Sequence, residues 1–376
     1  MIVLLFEYET LHGGENSLLS VLPLLQQSRR HFVALAPPLG DLTNALRDLG
    51  VEVRPFETTG PTGARLPLEQ LRARLGELLA ELRPRLLHAN SLAMSRLSGP
   101  VAQALGIRSI GHLRDIVGLN RTAIADLNRH TRLLCVSQAT REFHLAQGLD
   151  ADRTFVLYNG VDTEKFRPRK PLGFLHQELG IPPGTPLIGT VGQISLRKNQ
   201  AMLLEAFRYL LHEHPFSPWT AGPGGPRAKL LVIGQRWSEK AETVEYEHRL
   251  HEMAQEPPLC GRVHFLGTRA DMAMIYPELA LLAHPAKQEP LGRVLLEAAS
   301  CGVPIVATNV GGTSEIFSDF SARLVSPSDP EGFADAMQGI LGGLTPPALA
   351  RRIIEQRFCR EMTARELDRH YDYLIP

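Results

Sequence analysis

Residues 279–315 read LALLAHPAKQEPLGRVLLEAASCGVPIVATNVGGTSE, and this stretch sets the architecture of the chain. It opens with a short apolar run, 279–283, of the length of a buried strand. A polar turn follows at 284–289, and Pro290 sits where a helix is expected to start, its fixed φ suiting the first helical position. Leu291, Leu295, Ala298 and Ala299 share one face of that helix. Gly302 stops it, Pro304 prevents its resumption, and 305–307 forms the next strand. Such a unit is expected to leave the backbone N–H groups of Leu291, Gly292 and Arg293 free at the helix end, where they make an anion site. Glu289 and Glu297 frame it, separated by about 12 Å at most at the helical rise. That span matches a hexose, a diphosphate and a ribose laid end to end.

EPLG at 289–292, Glu297 eight residues after Glu289, and AASCGVPIVA at 298–307 together resemble the E-x7-E signature of retaining GT-B glycosyltransferases of family 4, or group 1. In isolation, two glutamates at that spacing also describe an ordinary surface helix. The EPLG turn, the SCGVPIVAT ending and the following GGTSE carry the resemblance. It implies an α/β protein with two Rossmann-like, doubly wound domains facing across a cleft. The fold alone does not assign an activity.

Composition agrees with a two-domain globular protein: 376 residues, 44% hydrophobic and 21% charged. Forty Lys/Arg balance forty Asp/Glu, so nucleic acid is not an expected partner. Residues 1–170 hold 21 Lys/Arg against 17 Asp/Glu, leaving 19 against 23 beyond; chance explains this as well as an anionic partner or a membrane surface does. The four cysteines are scattered without a CxxC pair, and Cys135 and Cys301 fall in apolar segments as small core residues. The start of the chain lacks a signal-peptide pattern, and no apolar run reaches membrane-spanning length. A cytoplasmic location is expected, with peripheral membrane contact left open.

Alternation of apolar strands with amphipathic helices over 2–157 predicts a doubly wound parallel sheet. The loop His12–Gly13–Gly14–Glu15–Asn16 follows the first strand, with a helix at 17–25. Gly13 and Gly14 serve as a tight turn or as a substrate cradle; the resemblance implies a place beside the donor phosphates and the acceptor. A helix is expected at 67–82, its stripe Leu68, Leu71, Leu75, Leu78 and Leu82, with Arg72 and Arg74 on a solvated face. His112 ends the strand 109–113, at the carboxyl edge where open α/β sheets place their sites. The resemblance implies that it orients the donor sugar. Asp150–Ala151–Asp152 imitates a metal-binding DxD but falls in a turn, and the family normally works without a metal or other cofactor.

YNGVD at 158–162 resembles the family's interdomain junction, and RPRKP at 167–171 reads as an exposed linker. The expected domains are 1–168, with a C-terminal helix from about 355 to 376 packing back on it, and 169–354. After the strand 187–191, the loop Gly192–Asn199 resembles the family's G-R-x4-K donor clamp. Lys198 holds the lysine position, but Gln193 replaces the arginine, leaving Arg197 or Arg293 to supply the second cation. Gly234 opens a poor match to the family's G-x-G-P loop, and Thr268 and Arg269 follow the strand beside which the family binds the nucleotide base. His212–Glu213–His214 lies at a helix end before Pro215 and reads as exposed rather than metal-binding. Residues 217–227 read as a surface insertion, 311–315 as another cradle-like loop, and 347–373 as helix.

On this reading a nucleotide-diphospho-sugar donates its sugar, with retention, to a glycan, lipid or small-molecule acceptor. Lys198 and the helix end at Leu291, Gly292 and Arg293 stabilise the leaving diphosphate. Glu289 holds the donor sugar, and Glu297 the ribose. The alternatives are a nucleotide-sugar epimerase of the same fold, or a non-catalytic sugar-binding protein or degenerate scaffold, to which Gln193 lends weight.

Overall fold

The computed structural model describes residues 1–213, 228–317, 322–344 and 347–375; His214 and the insertion at 217–227 lie outside the described residues. The chain forms two compact units, Met1–Gly160 with Phe358–Pro376, and Val161–Arg357. The division falls earlier than residue 168 because the segment after Gly160 is tied to the second unit. Phe166 O accepts from Ser300 Oγ, and Arg169 Nη1 donates to Ala273 O at 3.1 Å.

The first unit is built on β1 (Ile2–Leu5), β2 (Phe32–Ala36), β3 (Glu52–Pro55), β4 (Leu86–Ala89), β5 (Ser109–Leu113), β6 (Arg132–Cys135) and β7 (Thr154–Val156). They make one parallel sheet in the order β3-β2-β1-β4-β5-β6-β7. Central strands such as IVLL and FVALA are apolar without alternation because helices cover both faces of the sheet. The first helix starts at Gly13, not at Ser17, so both glycines lie in its opening turn rather than in a free loop. Gly14 is there for space: a Cβ would sit 2.9 Å from Arg114 Cδ. Helix Leu68–Leu82 buries Leu71, Leu75 and Leu79, while Leu68 is 40% exposed. Arg72 is not on a solvated face. It reaches Asp126 at 2.7 Å and the carbonyl of Arg96 at 3.3 Å.

The expected helix over 347–373 is two, Pro347–Arg357 and Arg360–Leu374, broken at Phe358 and Cys359. Phe358 is fully buried with its ring 5.1 Å from that of Tyr158, which anchors the break. Ala364, Leu367, Tyr371 and Leu374 then join Leu18, Leu22 and Ile2 in one core. Arg30 bridges Asp368 and Asp372 at its edge.

The second unit is built on β8 (Leu187–Val191), β9 (Lys229–Ile233), β10 (Val263–Gly267), β11 (Leu281–His284), β12 (Ile305–Thr308) and β13 (Arg323–Val325). They too form one parallel sheet, in the order β10-β9-β8-β11-β12-β13. Its core joins Ile188, Leu230, Leu281 and Val306 to Leu203, Phe207 and Phe333 on the covering helices. The helix after β11 begins at Arg293, three residues later than Pro290 suggests. Gly292 stands before it at φ +100°, a left-handed conformation that a residue with a Cβ resists, so the helix cannot extend back through it. Among the described residues, no helix is long and apolar enough to cross a membrane.

Candidate functional site

In each sheet the strand order reverses once, and open α/β sheets bind ligands beyond the carboxyl ends of their strands at that point. In the second unit the reversal lies between β8 and β11. The loop after β8 carries Lys198, and the loop after β11 carries Glu289. Two residues 91 apart in sequence thus meet: Lys198 Nζ is ion-paired with Glu289 Oε2.

Local backbone geometry builds this pair. The Lys198 stem lies over Gly192, where a Cβ would stand 3.4 Å from Lys198 Cε, and Asn199 turns the chain at φ +56° into the next helix. Glu289 is clamped from behind by the loop earlier read as a cradle. Gly312 N donates to Glu289 O at 2.9 Å, and a Cβ on Gly311 would lie 2.0 Å from that oxygen. The glycine pair therefore positions the glutamate backbone.

Glu289 is 6% exposed, and His284 Nε2, at the end of β11, donates to its Oε2 at 2.8 Å. Burial alone would raise the carboxyl pKa, but the Lys198 charge and the His284 hydrogen bond outweigh it, and Glu289 is held below the ordinary glutamate range. Burial and the neighbouring Lys198 charge keep His284 low and neutral. Glu297, 8% exposed, accepts from Tyr276 Oη at 3.0 Å and from Arg293 Nη2 at 2.9 Å. Both glutamates are thus buried and paired with basic side chains, unlike residues of a solvated helix face.

Other sequence-derived candidates take different places. Leu291 is buried, and Leu291 and Gly292 precede the helix instead of forming its first turn. Arg293 is engaged by Glu297, and Arg197 adds to the positive charge that depresses His284. Gln193 is partly buried, its carbonyl accepting from Gln200 Nε2 at 2.9 Å. Gly234 is a packing residue, with a Cβ there falling 2.1 Å from Gly192 O. Thr268 is exposed, while Arg269 is bound by Asp271 and Glu178 and offers no spare cation to a base. Asp150 accepts from Asp152 N at 3.0 Å, capping a single 3-10 turn.

In the first unit the order reverses between β1 and β4. The residues at this edge form a buried polar network that the sequence did not reveal. Arg114 donates to Asn90 O, Asn90 Oδ1, Asn159 Oδ1 and His112 Nδ1, at 2.7–3.1 Å. Ser17 Oγ donates to Asn159 Oδ1 at 2.8 Å. His112, at the end of β5, stacks on His88 of β4 with ring centroids 5.5 Å apart, and His88 meets Tyr371 of the last helix at 2.7 Å. Burial first, then the Arg114 charge, lowers both histidines, His88 to about 3 and His112 well below its usual value. Gly13 and Gly14 lie beside this network, Gly14 directly against Arg114. A histidine in an otherwise apolar strand, His88 in LLHA and His284 in LLAH, was the available signal for these partners.

Residues 12–165 match the family described as Glycosyltransferase Family 4, and residues 173–356 match Glycosyl transferases group 1. A D-inositol 3-phosphate glycosyltransferase of Corynebacterium urealyticum is 30% identical over 216 residues, 56% of this chain and 48% of that protein. The lipopolysaccharide core biosynthesis mannosyltransferase LpsB of Rhizobium meliloti is 26% identical over 236 residues, 60% of this chain and 62% of its own. The match spans about half the length of the D-inositol 3-phosphate glycosyltransferases it resembles. Among solved structures, HepE of Anabaena in complex with UDP-glucose superposes with a TM-score of 0.83 over 99% of both chains at 24% identity. With both parts matched and this fold, the chain belongs to the group 1, family 4 glycosyltransferases and has the GT-B fold.

Proposed function

We propose that this protein transfers a sugar from a nucleotide-diphospho-sugar to an acceptor hydroxyl with retention of anomeric configuration. The observation that carries this reading is the Lys198–Glu289 pair at the reversal point of the second sheet, beside the N-terminus of helix Arg293–Ser300. The chemistry needs charge stabilisation on a departing diphosphate. Lys198, 13% exposed, and a helix N-terminus supply it as positive potential. Glu289, kept ionised, accepts hydrogen bonds from the donor sugar, and Glu297 accepts from the ribose hydroxyls. The acceptor attacks the face that the diphosphate leaves, so no protein nucleophile is assigned.

HepE, a structural neighbour, is solved with UDP-glucose, so UDP-glucose heads the donor screen. D-inositol 3-phosphate enters the acceptor panel from the relatives' names. The test is a thermal-shift and turnover screen across nucleotide sugars, with and without acceptors, on wild type, Lys198→Ala and Glu289→Ala. At least one nucleoside diphosphate should raise the melting temperature of wild type, and Lys198→Ala should abolish the shift. Acceptor-free interconversion of nucleotide sugars would instead mark an epimerase. Binding without any turnover would mark a sugar-binding protein. A wild type stabilised by no nucleotide sinks the assignment.

A further inference from the structure

We propose that Tyr371, on the last helix of the chain, is a positioning residue that acts through His88 to orient the ring of His112, whose Nε2–H tautomer Arg114 sets. A guanidinium can only donate, so Arg114 Nη2, 3.1 Å from His112 Nδ1, makes that nitrogen an acceptor and places the His112 proton on Nε2. His88 Nε2 lies 3.3 Å from the same Nδ1. It must therefore carry a proton too, since two lone pairs would otherwise face each other. That leaves His88 Nδ1 as an acceptor, and Tyr371 Oη, 2.7 Å away, as its donor. Starting from Arg114, each proton in the chain His112–His88–Tyr371 follows from the one before it.

The far end of the chain is open. His112 Nε2 is buried, in a residue 2% exposed, and has no hydrogen-bond partner among the described residues. Buried polar groups are normally paired, so an N–H held this rigidly without a partner is poised for a ligand oxygen. It sits at the carboxyl end of β5, next to the strand pair where the order reverses. On the transferase reading, on which this part rests, the oxygen is a substrate hydroxyl. The last helix thereby contributes to the site through its packing within the first unit. Tyr371 is fully buried in the same core as Leu18 and Leu22.

The test is long-range proton–nitrogen NMR on the full chain with labelled histidine. In wild type at neutral pH, His88 and His112 should both show a pyrrole-type Nε2 and a pyridine-type Nδ1. Tyr371→Phe should move the His88 Nδ1 signal and, through it, that of His112, and lower kcat about tenfold with the KM for nucleotide sugar unchanged, one hydrogen bond being lost. His88→Gln, whose amide can replace the Nε2–H donor, should leave the His112 signals near their wild-type positions, whereas His88→Leu should move them without changing the tautomer that Arg114 sets. A proton on His112 Nδ1 in wild type overturns the proposal. So do unmoved His112 signals in a Tyr371→Phe protein with native circular dichroism. The NMR result does not depend on turnover: expected signals in a protein that transfers no sugar would count against the transferase reading and leave the relay standing.

Discussion

Replacing Lys198 by methionine keeps a stem of similar length over Gly192 and removes only the charge. Glu289 would then remain at 6% exposure, with His284 left as its side-chain donor among the described residues. Breaking a buried pair by deleting one partner costs about 3–5 kcal/mol, because the other charge stays buried and uncompensated. The second unit holds 197 residues, from 161 to 357 (357 − 161 + 1), a size at which each kcal/mol moves the midpoint by about 2–4 °C. The melting temperature of that unit should therefore fall by about 6–20 °C. Intrinsic fluorescence isolates it, since both tryptophans, Trp219 and Trp237, fall within 161–357. Adding Glu289→Gln to Lys198→Met should recover much of the loss, giving a coupling of about 2 kcal/mol in a double-mutant cycle. The Lys198→Met defect should also shrink as pH falls, beginning above the ordinary glutamate value, because burial no longer offset by the Lys198 charge raises the Glu289 pKa and lets it take up a proton. A Lys198→Met protein melting within about 2 °C of wild type, or losses that simply add, would refute the reasoning.

Gly311→Ala should destabilise the second unit by about 2 kcal/mol or more and weaken nucleotide binding. Its φ of +53° is unfavourable for alanine, and the new Cβ would meet Glu289 O; isothermal titration with UDP alongside urea unfolding checks both effects. Glu289→Gln should tighten binding of the nucleoside diphosphate that the screen identifies about tenfold while lowering turnover, because it releases Lys198 from its resting partner; titration and initial rates read the two separately. The first unit should lose stability on acidification. His88, lowered to about 3, and His130, lowered to about 4, stay neutral when folded and protonate near 6.5 when unfolded. Stability present above pH 6.5 is thus lost as pH falls toward 4, at about 1.4 kcal/mol per pH unit for each histidine, measurable by urea titration at pH 7, 6 and 5.

The strands were legible because a parallel sheet covered on both faces demands unbroken apolar runs, and IVLL, FVALA and IVAT supply them. Glu289 and Glu297 stood out by their eight-residue spacing, and Lys198 by the resemblance of its loop to the family's donor clamp. What spacing could not give was their company. Tyr276 reaches Glu297 from 21 residues away, and Tyr371 reaches His88 from 283, distances that only the folded topology closes. Helix starts were misjudged for a related reason. Pro290 carries a local preference for a first helical turn, but the left-handed Gly292, braced against Leu295 and Glu289, overrides it. Likewise the glycines at 13 and 14 looked like a loop because glycine disfavours helix interiors, whereas Gly14 answers a tertiary demand, the approach of Arg114.

The resting Lys198–Glu289 pair also bears on how the proposed reaction is timed. Both side chains are largely withdrawn from water, 13% and 7% exposed, so their desolvation is met in folding and not at ligand binding. On the proposed reading, a diphosphate arriving at the helix N-terminus would compete with Glu289 for the same ammonium. When Lys198 swings to the phosphate, Glu289 keeps the neutral His284 N–H and turns its remaining acceptor capacity to whatever hydroxyls lie beside it. One exchange of partners would then place the cation on the leaving group and free the carboxylate for the sugar. The pair is consequently selective: a monophosphate, carrying less charge within reach of Nζ, offers less to offset the ion pair it must break. The opposite effects expected of Glu289→Gln on diphosphate affinity and on rate follow from this single competition.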